Sequence, residues 1–182
     1  MNLTGKKVVW IGNSHSEALD SQMMPWLLSK GAADVAWVAR RGWSLARYLR
    51  EDFAQLISRA DVVFVELGGN PPATTVSELR EVLRLTAGKQ LIWIGPPYSL
   101  RPDIQEVHDA SARAQKLVLP IWVDSRPMTR TGHRDDGVHF TIPAGYARWA
   151  KQIQRALEPS KLLTAALLFG VVLGGAWLVK KI

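Results

Sequence analysis

The chain contains no cysteine, so disulfides, thiolate nucleophiles and cysteine-ligated zinc are all excluded. Any covalent catalysis must then use an oxygen, a lysine or a histidine. Histidine is scarce as well, with 4 in 182 residues. No pair of histidines has the spacing of a helical metal site, and neither metal nor cofactor is expected. Low-complexity tracts and internal repeats are missing. A recognisable leader is missing too: MNLTGKKVVWIG runs directly into an apparent strand, with no apolar core or small-residue cleavage site behind it, so no signal peptide is expected. The formal net charge of +7 includes Lys161, Lys180 and Lys181 at the far end. The remainder is mildly basic, with scattered Lys and Arg and no nucleic-acid motif, and a nucleic-acid partner is not expected.

What the chain does have is rhythm. Short apolar runs rich in Val, Ile and Trp alternate with segments of helical spacing, the pattern of an α/β domain built on a mainly parallel sheet. The expected strands are Lys7–Ile11, Val35–Ala39, Asp61–Glu66, Gln90–Ile94 and Val118–Val123. Most are almost continuously apolar, as strands are when helices cover both faces. Helical spacing marks Glu17–Lys30, Ser44–Ser58, Thr75–Ala87, Arg101–Leu117 and Pro143–Leu157. In the second of these, Leu45, Leu49, Phe53, Leu56 and Ile57 recur three and four apart as one buried stripe. A three-layer α/β/α sandwich over residues 1–157 follows.

Beyond a short linker at 158–161, Leu162 to Val179 (LLTAALLFGVVLGGAWLV) carries no charge, with Lys161 before it and the basic tail 180–182 after it. As a helix it would cover about 27 Å, close to the roughly 30 Å of a bilayer core, and its apolar residues surround the axis. A single-pass membrane helix over 162–179 is expected, making the chain a membrane protein held by a C-terminal anchor. With more positive charge upstream, the domain is expected to stay on the side where it was made, as in a tail-anchored protein. Gly170 and Gly174 form a G-x-x-x-G pair that would let a second copy approach, giving a homodimer.

In an open parallel sheet, ligands gather beyond the carboxyl ends of the strands. The chemically distinctive residues fall there: Gly12-Asn13-Ser14-His15-Ser16 after the first strand, Arg41-Gly42-Trp43 after the second, Gly68-Gly69-Asn70-Pro71 after the third, and His133-Arg134-Asp135-Asp136-Gly137-Val138-His139 after the fifth. Singly, each has a structural explanation: a helix cap, a turn glycine, a loop amide, a half-buried histidine. Together they supply a hydroxyl, two potential oxyanion donors and an acid–base pair, the set that acyl transfer requires.

These blocks, in this order, resemble the SGNH (GDSL-like) serine hydrolases over essentially all of residues 1–157. Gly12-Asn13-Ser14 is similar to the family's Gly-Asp-Ser turn, Gly42 to its second-block glycine, Gly68-Gly69-Asn70 to its Gly-x-Asn, and Asp136-Gly137-Val138-His139 to its closing Asp-x-x-His. Gly145-Tyr146 matches the lead into the last helix. Asn13 departs from the usual aspartate, and Pro71 stands where Asp is common. The resemblance implies a flavodoxin-like SGNH fold and ester hydrolysis through an acyl-enzyme on Ser14, with His139 as base and Asp136 as its orienting acid. Asp135 is an adjacent competitor for that last role. It also implies an oxyanion hole from the N–H groups of Ser14 and Gly42 and the Asn70 amide. His15 and Ser16 are expected to take no catalytic part, His108 to lie solvated on a polar helix, and Trp43 to be placed where it could line an acyl or sugar pocket. The expected substrate is a lipid acyl ester or an O-acetylated envelope glycan. An acyltransferase with the same triad, or a structural or adaptor protein of a membrane-bound assembly such as a viral or phage membrane, would carry the same blocks.

Overall fold

The computed structural model describes residues 1–141 and 143–158. Five parallel strands, β1 (Lys7–Gly12), β2 (Asp34–Ala39), β3 (Val62–Glu66), β4 (Gln90–Ile94) and β5 (Trp122–Val123), form one sheet in the order β2-β1-β3-β4-β5. The helices are α1 (Ser14–Ser29), α2 (Leu45–Glu51), α3 (Phe53–Ile57), α4 (Val76–Leu85), α5 (Pro102–Val118), α6 (Arg126–Thr129) and α7 (Pro143–Leu157).

Side chains alternate across a strand, and here each face has its own core. Val8, Trp10, Val62, Phe64, Ile92 and Ile94 pack with Leu19, Met23 and Leu27 of α1 and Trp149 and Ile153 of α7. Val9, Ile11, Val63, Val65, Leu91 and Trp93 pack with residues of α2, α3 and α4 on the other face. Because both sets are apolar, the strands read as continuous hydrophobic runs. Trp10 stacks between Trp37 and Phe64, with ring centroids 4.6 and 5.3 Å away.

Several element boundaries depart from the sequence pattern. The last strand was expected from Val118, but α5 continues to Val118 and only Trp122–Val123 pairs with β4. Pro120 has no N–H to contribute to a ladder, so pairing starts beyond it. The expected helix over Ser44–Ser58 is broken at Asp52, whose φ of −153° is not helical. The Asp52 carboxylate is engaged by the Arg40 guanidinium at 2.5 Å, and both resulting helices still turn Leu45, Phe53 and Ile57 inward. The helix after β1 begins at Ser14 instead of Glu17, and α6 was not anticipated.

Among the described residues no helix is long and apolar enough to cross a membrane. The expected span 162–179, with its Gly170–Gly174 pair, lies outside them.

Candidate active site

The switch point of a 2-1-3-4-5 sheet lies between β1 and β3, where the chain leaves in opposite directions and a crevice opens at the strands' carboxyl ends. Ser14 sits there, as the first residue of α1. Its position is set by the turn before it. The Gly12 carbonyl accepts from the Tyr48 hydroxyl at 2.7 Å and from the Arg40 N–H at 3.0 Å. Asn13, almost completely buried, caps α1 by accepting from the His15 N–H at 2.9 Å. A neutral amide oxygen thus caps the helix that carries Ser14.

The loop before α7 brings His139 to the same place. Ser14 Oγ lies 2.7 Å from His139 Nε2, and His139 Nδ1 lies 2.6 Å from Asp136 Oδ2. The other carboxylate oxygen, Asp136 Oδ1, accepts from the N–H groups of Val138 and His139 at 2.8 and 2.7 Å. Partial burial works against the Asp136 charge, but the hydrogen bonds from the His139 ring and from these backbone groups outweigh it and hold its pKa at about 2. An ionised Asp136 is an acceptor only, so Nδ1 of His139 carries the proton and Nε2 faces the Ser14 hydroxyl as an acceptor. The adjacent acid is elsewhere: Asp135 meets His133 at 3.2 Å, and its N–H donates to Thr141. The geometry therefore separates the two acids that the sequence left side by side.

A cleft of about 760 Å³ opens over Ser14 and His139, with Gly42, Asn70, Arg41, Glu17, Ala18 and Tyr146 along its wall. All three residues expected to donate to an oxyanion are thus on one cavity. Gly42 has φ +71°, a left-handed conformation that a side chain would resist. Asn70 Nδ2 donates one hydrogen to the Trp43 carbonyl at 3.1 Å, which ties the loop after β3 to the loop after β2. A primary amide has a second hydrogen, which this bond leaves unused. Across the mouth, Arg41 pairs with Glu17 at 2.5 Å.

Two expectations from sequence need correction. His108 is not solvated: it is fully buried, with Nδ1 2.5 Å from the Pro97 carbonyl and Nε2 3.1 Å from the Gly69 carbonyl. Burial pulls its pKa down, against the pull of those two carbonyls. Trp43 does not line the cleft; it lies between the guanidinium groups of Arg40 and Arg47, each 4.2 Å from its ring, with Tyr48 at its edge. His15 and Ser16 make no hydrogen bond to the Ser14 hydroxyl, yet neither is idle. The buried His15 ring packs on His139 at 4.7 Å and edge-on to Trp149, with Nδ1 3.2 Å from the Tyr146 hydroxyl. Burial first, and then the neighbouring His139, push the His15 pKa well below its usual value, so it is a neutral wall of the site.

Sequence reasoning missed Glu66 altogether. This last residue of β3 pairs in register with Gly12 and is fully buried. Its Oε2 accepts from the Ser16 hydroxyl at 2.9 Å, and Ser16 Oγ in turn accepts from Trp10 Nε1 at 2.8 Å. Burial pushes the Glu66 pKa up to about 8 despite the hydrogen bonds from Ser16 and the nearby backbone. The one available signal was an acid closing an otherwise apolar strand, VVFVE. Among the described residues no group of His, Asp and Glu could hold a metal ion.

No protein-family model and no curated protein sequence matches the chain. Solved structures do. An α/β hydrolase from the metagenome of Lake Arreo, Spain, is 16% identical with a TM-score of 0.62, over 84% of this chain and 95% of that one. The C-terminal catalytic domain of peptidoglycan O-acetyltransferase A from Streptococcus pneumoniae is 20% identical with a TM-score of 0.61, over 85% and 93%. An acetyl xylan esterase from Geobacillus stearothermophilus is 15% identical with a TM-score of 0.59, over 87% and 99%. At these identities the likeness is one of fold, and the fold is that of the SGNH hydrolases.

Proposed function

We propose that the protein is a serine esterase that cleaves short-chain carboxylic esters through an acyl-enzyme on Ser14. The observation that carries this reading is the unbroken chain Ser14 Oγ, His139 Nε2, His139 Nδ1, Asp136 Oδ2, with its links at 2.7 and 2.6 Å, opening on a cleft that also holds Gly42 and Asn70. Ser14 Oγ bonds to the ester carbon while its proton passes to His139 Nε2. Ionised Asp136 stabilises the imidazolium and holds its orientation. The carbonyl oxygen, now negative, is met by the N–H groups of Ser14 and Gly42 and by the free hydrogen of the Asn70 amide. Collapse of the adduct breaks the carbon–oxygen bond to the alcohol, which leaves with the proton from His139. Water, deprotonated by the same imidazole, then releases the acid and restores Ser14.

The cleft wall bears on acyl length. It is built from Glu17, Arg41, Asn70 and backbone as much as from Ala18 and Tyr146, and lacks the run of aliphatic side chains that a long acyl chain would need among the described residues. This supports an acetyl-sized group on a large polar alcohol, such as a glycan hydroxyl, over a phospholipid acyl chain. The acetyl xylan esterase, the peptidoglycan O-acetyltransferase and a phospholipase A1 all share the fold, so the preference rests on the cleft wall alone. The cleft opens to solvent beside Ser14, which leaves room for an acceptor alcohol as well as water, and acyl transfer is the second reading. Residues 162–179 would tether this chemistry to a membrane, with the domain on the side of its synthesis and Gly170 and Gly174 available to pair copies.

The test is hydrolysis of p-nitrophenyl acetate, butyrate and octanoate by the full chain, with Ser14→Ala as control, together with labelling by a fluorophosphonate. The expected result is turnover that falls with acyl length and vanishes with labelling in the variant. Equal inertness of both proteins, with no adduct on Ser14, would leave the adaptor reading in its place. For the tether, a carbonate wash should leave the full chain in the membrane pellet; its release would reject anchoring.

A further inference from the structure

Helix α5 packs beside α4 and over the loop that follows β3. Beside the buried Ala112, its inner face carries His108, Ser111 and Gln115, spaced three and four apart and all fully buried. Each is spent on the same stretch of chain. Gln115 Nε2 donates to the Leu67 carbonyl at 3.0 Å, His108 Nε2 lies 3.1 Å from the Gly69 carbonyl, and Ser111 Oγ accepts from the Thr74 N–H at 2.9 Å. The stretch from Leu67 to Thr74 contains Asn70. A buried polar group costs free energy unless it is paired, so three in a row on one helix face hold this loop in one conformation.

We propose that His108 is a positioning residue for Asn70, holding the loop after β3 so that the Asn70 amide faces the oxyanion site. This rests on the esterase reading for its consequence, but not for its geometry. The imidazole bridges two loops, from the Gly69 carbonyl next to Asn70 to the Pro97 carbonyl after β4 at 2.5 Å. Gly69 is closely confined: a methyl group on it would stand 3.2 Å from His108 Nε2 and 3.4 Å from Asn13 Nδ2. The loop is thus clasped between α5 and the turn that presents Ser14. With Asn70 also bound to the Trp43 carbonyl, the amide is held at both ends of its short loop. Both carbonyls can only accept, and the neutral ring that burial favours carries one N–H, so the imidazole donates to one of the two loops while its body packs against the other. Of the charged groups that bear on the ring, Asp109 of α5 itself raises its pKa and Arg126 of α6 lowers it, both after the larger effect of burial.

The test combines a double-mutant cycle with a measurement that needs no turnover. In the full chain, His108→Leu keeps a side chain of similar size and removes the ring nitrogens that face the two carbonyls. It should lower kcat on p-nitrophenyl acetate by about 10- to 100-fold with KM little changed, and by less than about 2-fold in an Asn70→Ala background, because residues acting through one another are not additive. His108→Gln, which keeps one donor, should recover part of kcat. Equal losses in both backgrounds, or an unchanged kcat in His108→Leu, would overturn the proposal. If His108→Leu does not fold, the same cycle run with His108→Gln decides it. Separately, in 15N-labelled protein the backbone N–H of Asn70 and its side-chain amide should shift in His108→Leu while the Asp136 and His139 amides stay in place. Unmoved Asn70 resonances refute the positioning role even if no ester is ever found to be cleaved, and shifted resonances in an inert protein would refute only the esterase reading.

Discussion

Replacing Glu66 with Gln tests the electrostatics beneath the nucleophile directly. Glu66 is fully buried, Oε1 has no hydrogen-bond partner among the described residues, and burial pushes its pKa to about 8 from an ordinary 4.5. In the folded protein it therefore holds a proton that the unfolded chain releases near pH 4.5. Between those values the native state binds more protons than the unfolded state, so stability falls as pH rises, by up to about 1.4 kcal/mol per pH unit. Over the whole interval this amounts to at most about 5 kcal/mol, and above pH 8 the loss levels off. Glutamine has nearly the same shape and no proton to lose. Its amide can still accept from the Ser16 hydroxyl, and any cost of its NH2 group is the same at every pH. Urea unfolding followed by tryptophan fluorescence at pH 5 and pH 8.5, on wild type and Glu66→Gln, isolates the effect, since all other titrations cancel in the difference. The variant should gain several kcal/mol relative to wild type on going from pH 5 to pH 8.5. Parallel pH dependences in the two proteins would show that Glu66 is ionised in the fold, and the account of its burial would fail.

Asp136→Asn should lower kcat by about 10⁴ by forfeiting the His139 tautomer, whereas Asp135→Asn, at a carboxylate that faces His133, should leave the rate within about 2-fold of wild type; steady-state kinetics on p-nitrophenyl acetate distinguishes them. Asn70→Ala should cost about 10²–10³ in kcat, roughly 3–4 kcal/mol of transition-state stabilisation, with the unfolding midpoint nearly unchanged. Gly12→Ala would drive a methyl group into the Oγ and Cβ of Ser16 and disturb the Ser16–Glu66 link, so it should both destabilise the fold and abolish labelling of Ser14. Asn13→Ala removes the α1 cap and should cost about 1 kcal/mol in chemical unfolding.

The sheet and the cluster of unusual residues were legible because both are written in local patterns. Apolar runs such as VVWI and VVFV can only be buried on both faces, and in a parallel sheet their carboxyl ends must share one edge. That places Ser14, Gly42, Asn70, Asp136 and His139 together before any distance is known. What the residues do to one another was not legible. The pairing of His139 with Asp136 and not Asp135 depends on a loop whose backbone N–H groups fold back on one carboxylate. His108 looked like a surface residue because its helix is polar by composition, yet the polar groups on its inner face are consumed by a loop distant in sequence.

The sequence by itself determined the layers and the kinds of group that reach the carboxyl ends of the strands, since periodicity and spacing depend only on neighbours along the chain. Tertiary structure decided the protonation states and the orientations: that Asp136 stays ionised, that Glu66 and His15 stay neutral, and that Asn70 is held from behind by α5. Those properties follow from desolvation and from hydrogen bonds between segments tens of residues apart, which no local pattern encodes.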